Sequence, residues 1–221
     1  MRLRRALLVL TAVVSSNTQP RRRPKRRSGR QIVESILDAA RAILVEQGFD
    51  KLTTNKIAER AGVSVGSVYQ YFPNKQAVVA GLTQRINDAM LLRLREVMAA
   101  ELSTTERLRS ALDVLCSTSV ADAELRRVLL LHVPRSWEHT GIVDAEREVL
   151  EVARGFAREL APDRSDTELE DWMHVIIFAT RGAAQGALLY RPALLEEGRL
   201  TAILLDMFLA AKPEQSQGPS R

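Results

Sequence analysis

The chain has 221 residues, of which 46% are hydrophobic and 27% charged, so it is long enough for one or two domains with a buried core. This balance excludes a wholly disordered chain and a membrane protein with several spans, and the single cysteine excludes an internal disulfide. The net charge of +5 is uneven, because residues 1–30 carry ten Arg and Lys and no acidic residue, whereas the rest carries a net charge of −5. The basic end indicates a polyanionic partner, such as nucleic acid or an anionic membrane surface.

Residues 1–30 form a basic extension with two parts. In residues 1–16, arginines precede the apolar run from Ala6 to Val14, a pattern typical of a short secretory signal, although nine residues are too few to span a bilayer. Three interpretations stay open: an export signal, a disordered or membrane-touching extension, or a start codon assigned too far upstream. Residues 21–30 carry seven positive charges and are expected to stay extended, either as a solvated tail or as an arm that follows phosphates or enters a minor groove.

The chain after residue 30 has the periodicity of helices throughout, and no segment alternates with period two, so the predicted fold class is all-α. Apolar residues at three- and four-residue steps predict a first helix over 31–47, ended by Gly48. Two short helices follow, one capped by Thr53 or Thr54 and closed by Gly62, the other capped by Ser64 and running to about residue 71. Longer helices are expected over about 75–100, 104–118, 121–133, 142–160, 166–190 and 198–211.

Residues 53–72 carry the most informative pattern, which is two short helices joined by a tight turn at Gly62. The second helix of such a pair fits the major groove of DNA, which is about 12 Å wide. Small residues at its start let its backbone approach the bases, and Val65 can contact a thymine methyl group. Hydroxyl, ammonium and amide groups at its far end suit phosphates, and they belong to Tyr69, Gln70, Tyr71 and Lys75.

The segment from about residue 31 to 83 resembles the N-terminal domain of the tetracycline-repressor (TetR/AcrR) family of bacterial transcription regulators. The resemblance lies in Gly48-Phe49, Thr53-Thr54, Ala61-Gly62-Val63-Ser64 and the run Tyr71-Phe72-x-Asn74-Lys75. It implies an N-terminal three-helix DNA-binding domain with a helix-turn-helix, followed by a larger C-terminal helical domain for ligand binding and dimerisation. It also implies that Thr54, Tyr71 and Lys75 bind phosphates, and that bases are faced by Val65, Gly66, Ser67 and Tyr69. The candidate DNA-binding residues are Thr53, Thr54, Ser64, Val65, Gly66, Ser67, Tyr69, Gln70, Tyr71 and Lys75.

The expected domain boundaries follow from the predicted helices and the family resemblance. They are 1–30 for the basic extension, 31–83 for the helix-turn-helix domain, 84–212 for the C-terminal domain and 213–221 for a disordered tail. The Arg-rich extension is a departure from the minimal family domain.

The C-terminal half offers material for a pocket and for an interface between subunits. Trp137, Trp172 and Phe178 are candidates to line the pocket, with His132, Arg135 and His174 as polar groups, although each aromatic residue also suits a plain core. The last two helices either form a four-helix dimer interface or are buried within one subunit. The candidate interface residues are Ile176, Ala179, Ala183, Gly186, Ile203 and Met207.

The sequence contains no glycine-rich phosphate loop, metal-binding histidine pair or nucleophile motif, so we expect no enzyme activity, no metal and no cofactor. Cys116, in an apolar helix, is expected to be an inert core thiol. The predicted function is a cytoplasmic, ligand-responsive repressor that binds a palindromic double-stranded DNA operator as a homodimer. A small, mostly apolar effector would release it, without stable membrane association. The alternative is an exported cationic protein acting at anionic membrane surfaces, which operator binding by a chain lacking residues 1–20 would exclude.

Overall fold

The computed structural model describes residues 27–121, 123–132 and 140–210, where the chain forms nine α-helices and no strand. Single 3-10 turns lie at Phe49–Lys51, Pro192–Leu194 and Glu196–Gly198. The all-α prediction is confirmed. The helices are α1 (Arg27–Gln47), α2 (Thr54–Ala61), α3 (Val65–Tyr71), α4 (Lys75–Ala99), α5 (Thr104–Ala121), α6 (Ala123–His132), α7 (Thr140–Leu160), α8 (Asp166–Tyr190) and α9 (Arg199–Ala210).

The C-terminal ends of α1 and α2, and the starts of α2, α3 and α4, lie where the sequence predicts them. Gly48 and Gly62 have φ angles of 80° and 66°, a region that side chains with a Cβ rarely adopt, and they end α1 and α2. The side chains of Thr53, Ser64 and Asn74 each accept a hydrogen bond from the backbone N–H three residues later. These bonds satisfy N–H groups that lack a partner in the first turn of a helix.

The first helix begins earlier than predicted. Residues 27–30 are helical, whereas the sequence analysis places them in the extended basic arm. Once a helix has nucleated, each added residue gains a hydrogen bond at modest cost, and arginine is a good helix former, so charge repulsion does not stop the helix at residue 31. The predictions for residues 1–26 and 211–221 lie outside the described residues.

The described chain divides into two compact units. The first comprises the residues up to 88 together with 124–145, and the second comprises 89–123 together with the residues from 146 onward. The core of the first unit is formed by α1, α2, α3 and the start of α4, and it includes Leu125 and Val128 of α6. The predicted domain boundaries place α6 in the C-terminal domain. Periodicity shows that a helix has an apolar face, but it does not show which core receives that face.

The second unit consists of the end of α4 with α5, α7, α8 and α9. Helix α8 packs against both α5 and α9, and the buried residues include Leu112, Phe156 and Leu204. Helix α8 begins with a capping box, in which Ser165 and Glu168 each bond the other's backbone N–H. The Ser-x-x-Glu spacing of this box is visible in the sequence, although the prediction of this helix did not use it.

Candidate functional site

Helix α3 presents one exposed face and buries the opposite one. Its exposed residues form two pairs, Val65 with Tyr69 and Gly66 with Gln70. The members of each pair are four residues apart, which places them on the same side of a helix. Tyr71 and the fully buried Val68, three residues apart, face the core. The exposed face is free of large acidic side chains and is formed by Val65, Gly66, Tyr69 and Gln70.

Gly66 leaves open space on this face. A Cβ atom built at Gly66 would meet only the Ser64 hydroxyl oxygen, at an ordinary contact distance of 3.7 Å. Internal packing therefore does not require glycine at this position. A glycine that the fold does not need is consistent with close approach of the α3 backbone to another molecule.

The two serines at the start of α3 bond each other. The Ser64 hydroxyl accepts from the Ser67 backbone N–H at 3.0 Å, and the two hydroxyl oxygens lie 2.8 Å apart. Ser64 is exposed and Ser67 is half-buried. Because a hydroxyl has one donor and two acceptor positions, this bond leaves Ser67 with capacity for a further partner.

Thr54 and Tyr69 connect the start of α2 with the exposed face of α3. Their hydroxyl oxygens lie 3.2 Å apart, and Tyr69 is 44% exposed. Each hydroxyl keeps a free position after this bond, so the pair offers two adjacent polar groups at one edge of the helix pair. Such groups suit contacts to a phosphate backbone.

Lys75, at the start of α4, is half-buried and bonded within the protein. Its ammonium group donates to the backbone oxygen of Phe49 at 3.2 Å and lies 4.2 Å from the centre of the Phe49 ring. The lysine thereby fastens the turn between α1 and α2 to α4. An ammonium group has three N–H donors, so two remain for a phosphate oxygen.

Tyr71, for which the sequence predicts a phosphate contact, is largely buried. It is only 7% exposed and belongs to the same core as Val68 and Phe72. Its position three residues after Val68 places it on the inner face of α3. The pattern Tyr-x-Tyr-Phe thus contains one exposed aromatic residue, Tyr69, followed by two that pack in the core.

Polar bonds from α1 fix the position of α2. The Arg60 guanidinium bonds both oxygens of Glu46, at 2.5 and 2.6 Å, and the Lys56 ammonium donates to Gln47 at 2.8 Å. The hydrogen bonds from Arg60 hold the pKa of Glu46 below its usual value. Because both cations of α2 are paired with α1, they position the helix pair, and neither was among the predicted site residues.

The second unit contains a small cavity of about 70 Å³. Its walls come from α4, α5, α7 and α8, and they carry no charged side chain among the described residues that line it. Trp172 lines this cavity, as does the buried Thr180, which the sequence analysis did not single out. Nothing in the sequence distinguishes Thr180 from other helical threonines.

The other predicted pocket residues lie elsewhere or outside the described residues. His174 and Phe178 are exposed and contact each other, with ring centres 4.4 Å apart, on the side of α8 away from the cavity wall. His132, the last residue of α6, is exposed and belongs to the first unit. Arg135 and Trp137 lie outside the described residues. The sequence could not separate the two faces of α8, because both are largely apolar.

The last two helices carry an exposed apolar surface, which we call the α8–α9 surface. Ile203 and Met207 are 47% and 59% exposed, and Ala179 is also exposed, whereas Ile176, Ala183 and Gly186 are half-buried. A Cβ atom at Gly182 or Gly186 would meet nothing within 4 Å. The α8–α9 surface is completed by the exposed side chains of Val175, Phe178 and Tyr190.

Cys116 is buried in the second unit, and burial raises the pKa of its thiol to about 11. A hydrogen bond with Thr201 opposes this effect. A thiol with so high a pKa is almost wholly protonated near neutral pH and reacts slowly. Nowhere in the described chain do three His, Cys, Asp or Glu side chains cluster as a metal site would require.

None of the helices that the structure describes combines the length and hydropathy needed to cross a membrane.

Residues 36–82 match the family model described as bacterial regulatory proteins, tetR family. The nucleoid occlusion factor SlmA of Vibrio campbellii is 28% identical over 136 residues, which cover 61% of this chain and 69% of that protein. The SlmA protein of Vibrio atlanticus is 33% identical over 108 residues, which cover 48% of this chain and 54% of that protein. The alignment with the second relative thus spans only about half of its length.

Among solved structures, SmeT, the repressor of the Stenotrophomonas maltophilia multidrug efflux pump SmeDEF, matches with a TM-score of 0.57 and 25% identity. The match covers 83% of this chain and 91% of that chain. The similarity therefore extends well beyond residues 36–82, into the helices of the second unit.

Proposed function

This chain belongs to the tetR family of bacterial regulatory proteins, and we propose that it is a repressor that reads a palindromic DNA operator through the exposed face of α3. The observation that carries the proposal is the combination of Val65, Gly66 and Tyr69 on a face that internal packing does not occupy. Helix α3 would enter the major groove with this face against the bases. Its small residues would permit the close approach that base contacts require.

The phosphate contacts would come from the edges of the helix pair. The Thr54 and Tyr69 hydroxyls, which are 3.2 Å apart, would bind the backbone beside the groove. Lys75 would add a charged contact while its bond to Phe49 holds the start of α4 in place. These contacts set the position of the protein on the duplex and carry no sequence information, whereas Val65 and Ser67 would read bases.

The test is selection of bound DNA from a random pool by the full chain, followed by affinity measurements on the selected sequence and its variants. Ser67→Ala and Val65→Ala should each change the preference among operator variants by about 1–3 kcal/mol at one base-pair position. Ser35→Ala, on the exposed side of α1, is the matched control and should change nothing. Equal weakening on every sequence would mean that these residues do not read bases.

A palindromic operator requires a two-fold dimer, and the α8–α9 surface supports one. Exposed apolar side chains rarely gather on a monomer's surface without a partner, and Gly182 and Gly186 leave room for a second helix to approach closely. Two helices from each subunit would form a four-helix interface. Two copies of α3 would then meet successive major grooves about 34–36 Å apart.

The dimer can be tested by sedimentation at several concentrations. Met207→Glu should shift the protein to monomers, because it would bury a charge in the interface. Leu92→Glu is the matched control, since Leu92 on α4 is 58% exposed and Met207 is 59% exposed. Dissociation by both variants, or by neither, would remove the α8–α9 surface as the interface.

The cavity of the second unit is the proposed effector site. An effector bound there would act through its different affinity for the DNA-binding conformation and for an alternative one. Helix α4 contributes residues to both units, so it is the proposed path between effector and DNA. The expected observation is a fall in operator affinity when the cavity is occupied.

The relatives named nucleoid occlusion factor favour a second candidate, a role at the nucleoid in place of regulation at one promoter. Mapping the bound sites along the chromosome distinguishes the two. A few sites upstream of genes would support the repressor, and many sites spread over the chromosome would support the nucleoid role.

A further inference from the structure

One residue in the wall of the second unit's cavity has a buried hydroxyl without a hydrogen-bond partner in the protein. Thr180 lines the cavity and is 1% exposed, and its Oγ1 is the only hydroxyl among the described buried side chains that lacks a partner. Leaving such a group unpaired costs free energy. A fold that retains this cost indicates a functional role for the hydroxyl.

Other threonines of this chain show how a helical hydroxyl is normally satisfied. Thr83 donates to the backbone oxygen of Val79, four residues earlier, at 3.1 Å. Thr201, 2% exposed, forms a hydrogen bond with Cys116. Thr180 makes neither kind of bond, although it lies in the interior of a long helix where the first kind is available.

The rest of the cavity wall limits what could bond Thr180. Of the sixteen described residues that line the cavity, all but Thr180 are apolar or, in the case of Trp172, aromatic with one indole N–H. A bound water needs two to four polar partners, and this wall offers at most the minimum, the Thr180 hydroxyl and the Trp172 N–H. A charged molecule would be buried without a counter-charge, at a large cost in free energy.

The cavity of about 70 Å³ is roughly half the 150 Å³ of an engineered apolar cavity that holds benzene. A ring-sized molecule therefore requires the wall to move. Met98 and Met173 both line the cavity, and methionine side chains change shape more readily than branched ones. A ligand that needs the larger cavity favours the conformation that has it, which is the property an effector must have.

We infer that Thr180 is the polar anchor of this cavity and that its ligand is a small uncharged molecule, mostly apolar, with a single hydroxyl or carbonyl group. The inference rests on the proposed effector site and specifies its ligand class. The hydroxyl of Thr180 either donates to a carbonyl or hydroxyl oxygen of the ligand or accepts from a ligand O–H. Apolar side chains enclose the remainder of the molecule.

The experiment compares phenol with benzene, two rings that differ by one hydroxyl, on the full chain at pH 7. Affinities for both are measured by NMR titration of the wild type and of Thr180→Val, which keeps the shape and removes the hydroxyl. The preference for phenol over benzene should fall about threefold to tenfold in the variant. Thr201→Val, buried to the same degree outside the cavity wall, should keep the wild-type preference. Benzoate, which is charged, should not bind.

Thermal unfolding without ligand gives a second readout. Thr180→Val should leave the melting temperature unchanged or raise it, since it removes an unpaired hydroxyl, whereas Thr201→Val should lower it. The inference is overturned if Thr180→Val lowers the melting temperature as Thr201→Val does, or if the preference for phenol persists in it. Failure of both rings to bind, or binding of benzoate as tight as that of phenol, overturns it as well.

Operator affinity separates this inference from the proposed function. Phenol bound at Thr180 with unchanged operator affinity would leave the anchor in place and refute the effector role. Specific operator binding by a protein that takes up neither ring would refute the anchor and leave the DNA-reading proposal standing.

Discussion

Two glycines of the first unit should respond to alanine in opposite ways. A Cβ atom at Gly81 on α4 would lie 2.8 Å from a ring carbon of Phe72 and 3.4 Å from a methyl carbon of Leu37. Carbon atoms pack best at about 3.5–4.0 Å, so the first contact is about 1 Å too close. Phe72 and Leu37 are 2% and 4% exposed, which leaves the ring little space to withdraw.

The magnitude follows from two opposing effects. Overpacking a core costs about 1–3 kcal/mol, and alanine in place of a helical glycine gains about 1 kcal/mol. Gly81→Ala should therefore lower the free energy of unfolding by about 1 kcal/mol. Gly66→Ala meets no such contact and should leave stability unchanged or slightly higher. For a chain of this size, 1 kcal/mol shifts the melting temperature by about 2–4 °C.

The assay combines thermal unfolding with DNA binding by fluorescence anisotropy, using the selected operator. Gly66→Ala should reduce operator affinity in a fully folded protein, because its methyl group would lie on the face that is proposed to meet the bases. Gly81→Ala should retain operator affinity well below its melting temperature. Equal stability of the Gly81→Ala and Gly66→Ala variants would refute the predicted clash with Phe72. Wild-type operator affinity of the Gly66→Ala variant would refute the close approach of α3 to DNA.

Four further predictions concern single groups. Lys75→Ala should weaken binding to all DNA sequences and reduce the slope of log affinity against log salt concentration by roughly one. Lys51→Ala, at an exposed lysine, should leave the slope unchanged. Equal slopes for the two variants would exclude Lys75 from the phosphate contacts. Deleting residues 21–26, which precede α1, should reduce affinity most at low salt, and no loss there would mean a passive tail. Cys116 should resist alkylation at pH 8 until the protein unfolds. Because folding raises the pKa of its thiol from 9.0 to about 11, the free energy of unfolding should fall as pH rises through this range. The Cys116→Ala variant should show a smaller fall. Ser165→Ala, which removes the cap of α8, should cost about 1 kcal/mol in urea unfolding, and an unchanged midpoint would contradict the capping role.

The sequence predicts helix ends well because local groups determine them. Gly48 and Asn74 act on the backbone within four residues, so their effect can be read from the order of residues alone. The exposed face of α3 was predictable for the same reason, since only periodicity and small side chains define it. The burial of Tyr71 was not predictable, because a family motif suggests a role without stating which side of the helix the residue occupies.

Features that depend on distant contacts could not be predicted. Apolar periodicity on α6 reveals a face to be buried, but the core that receives Leu125 is set by packing far along the chain. The unpaired hydroxyl of Thr180 is likewise invisible in the sequence, because any helical threonine can bond its own backbone. His174 and Phe178 lie on an exposed side of α8 that is nearly as apolar as the buried side.

The assignment of α6 to the first unit has a consequence for protein engineering. A fragment that stops at residue 88 would lack Leu125 and Val128 and would open an apolar hole in its own core. Chimeric regulators that join the first unit to a foreign sensor domain should therefore include residues 124–132. Otherwise the foreign sensor must supply a substitute helix whose side chains fill the same hole.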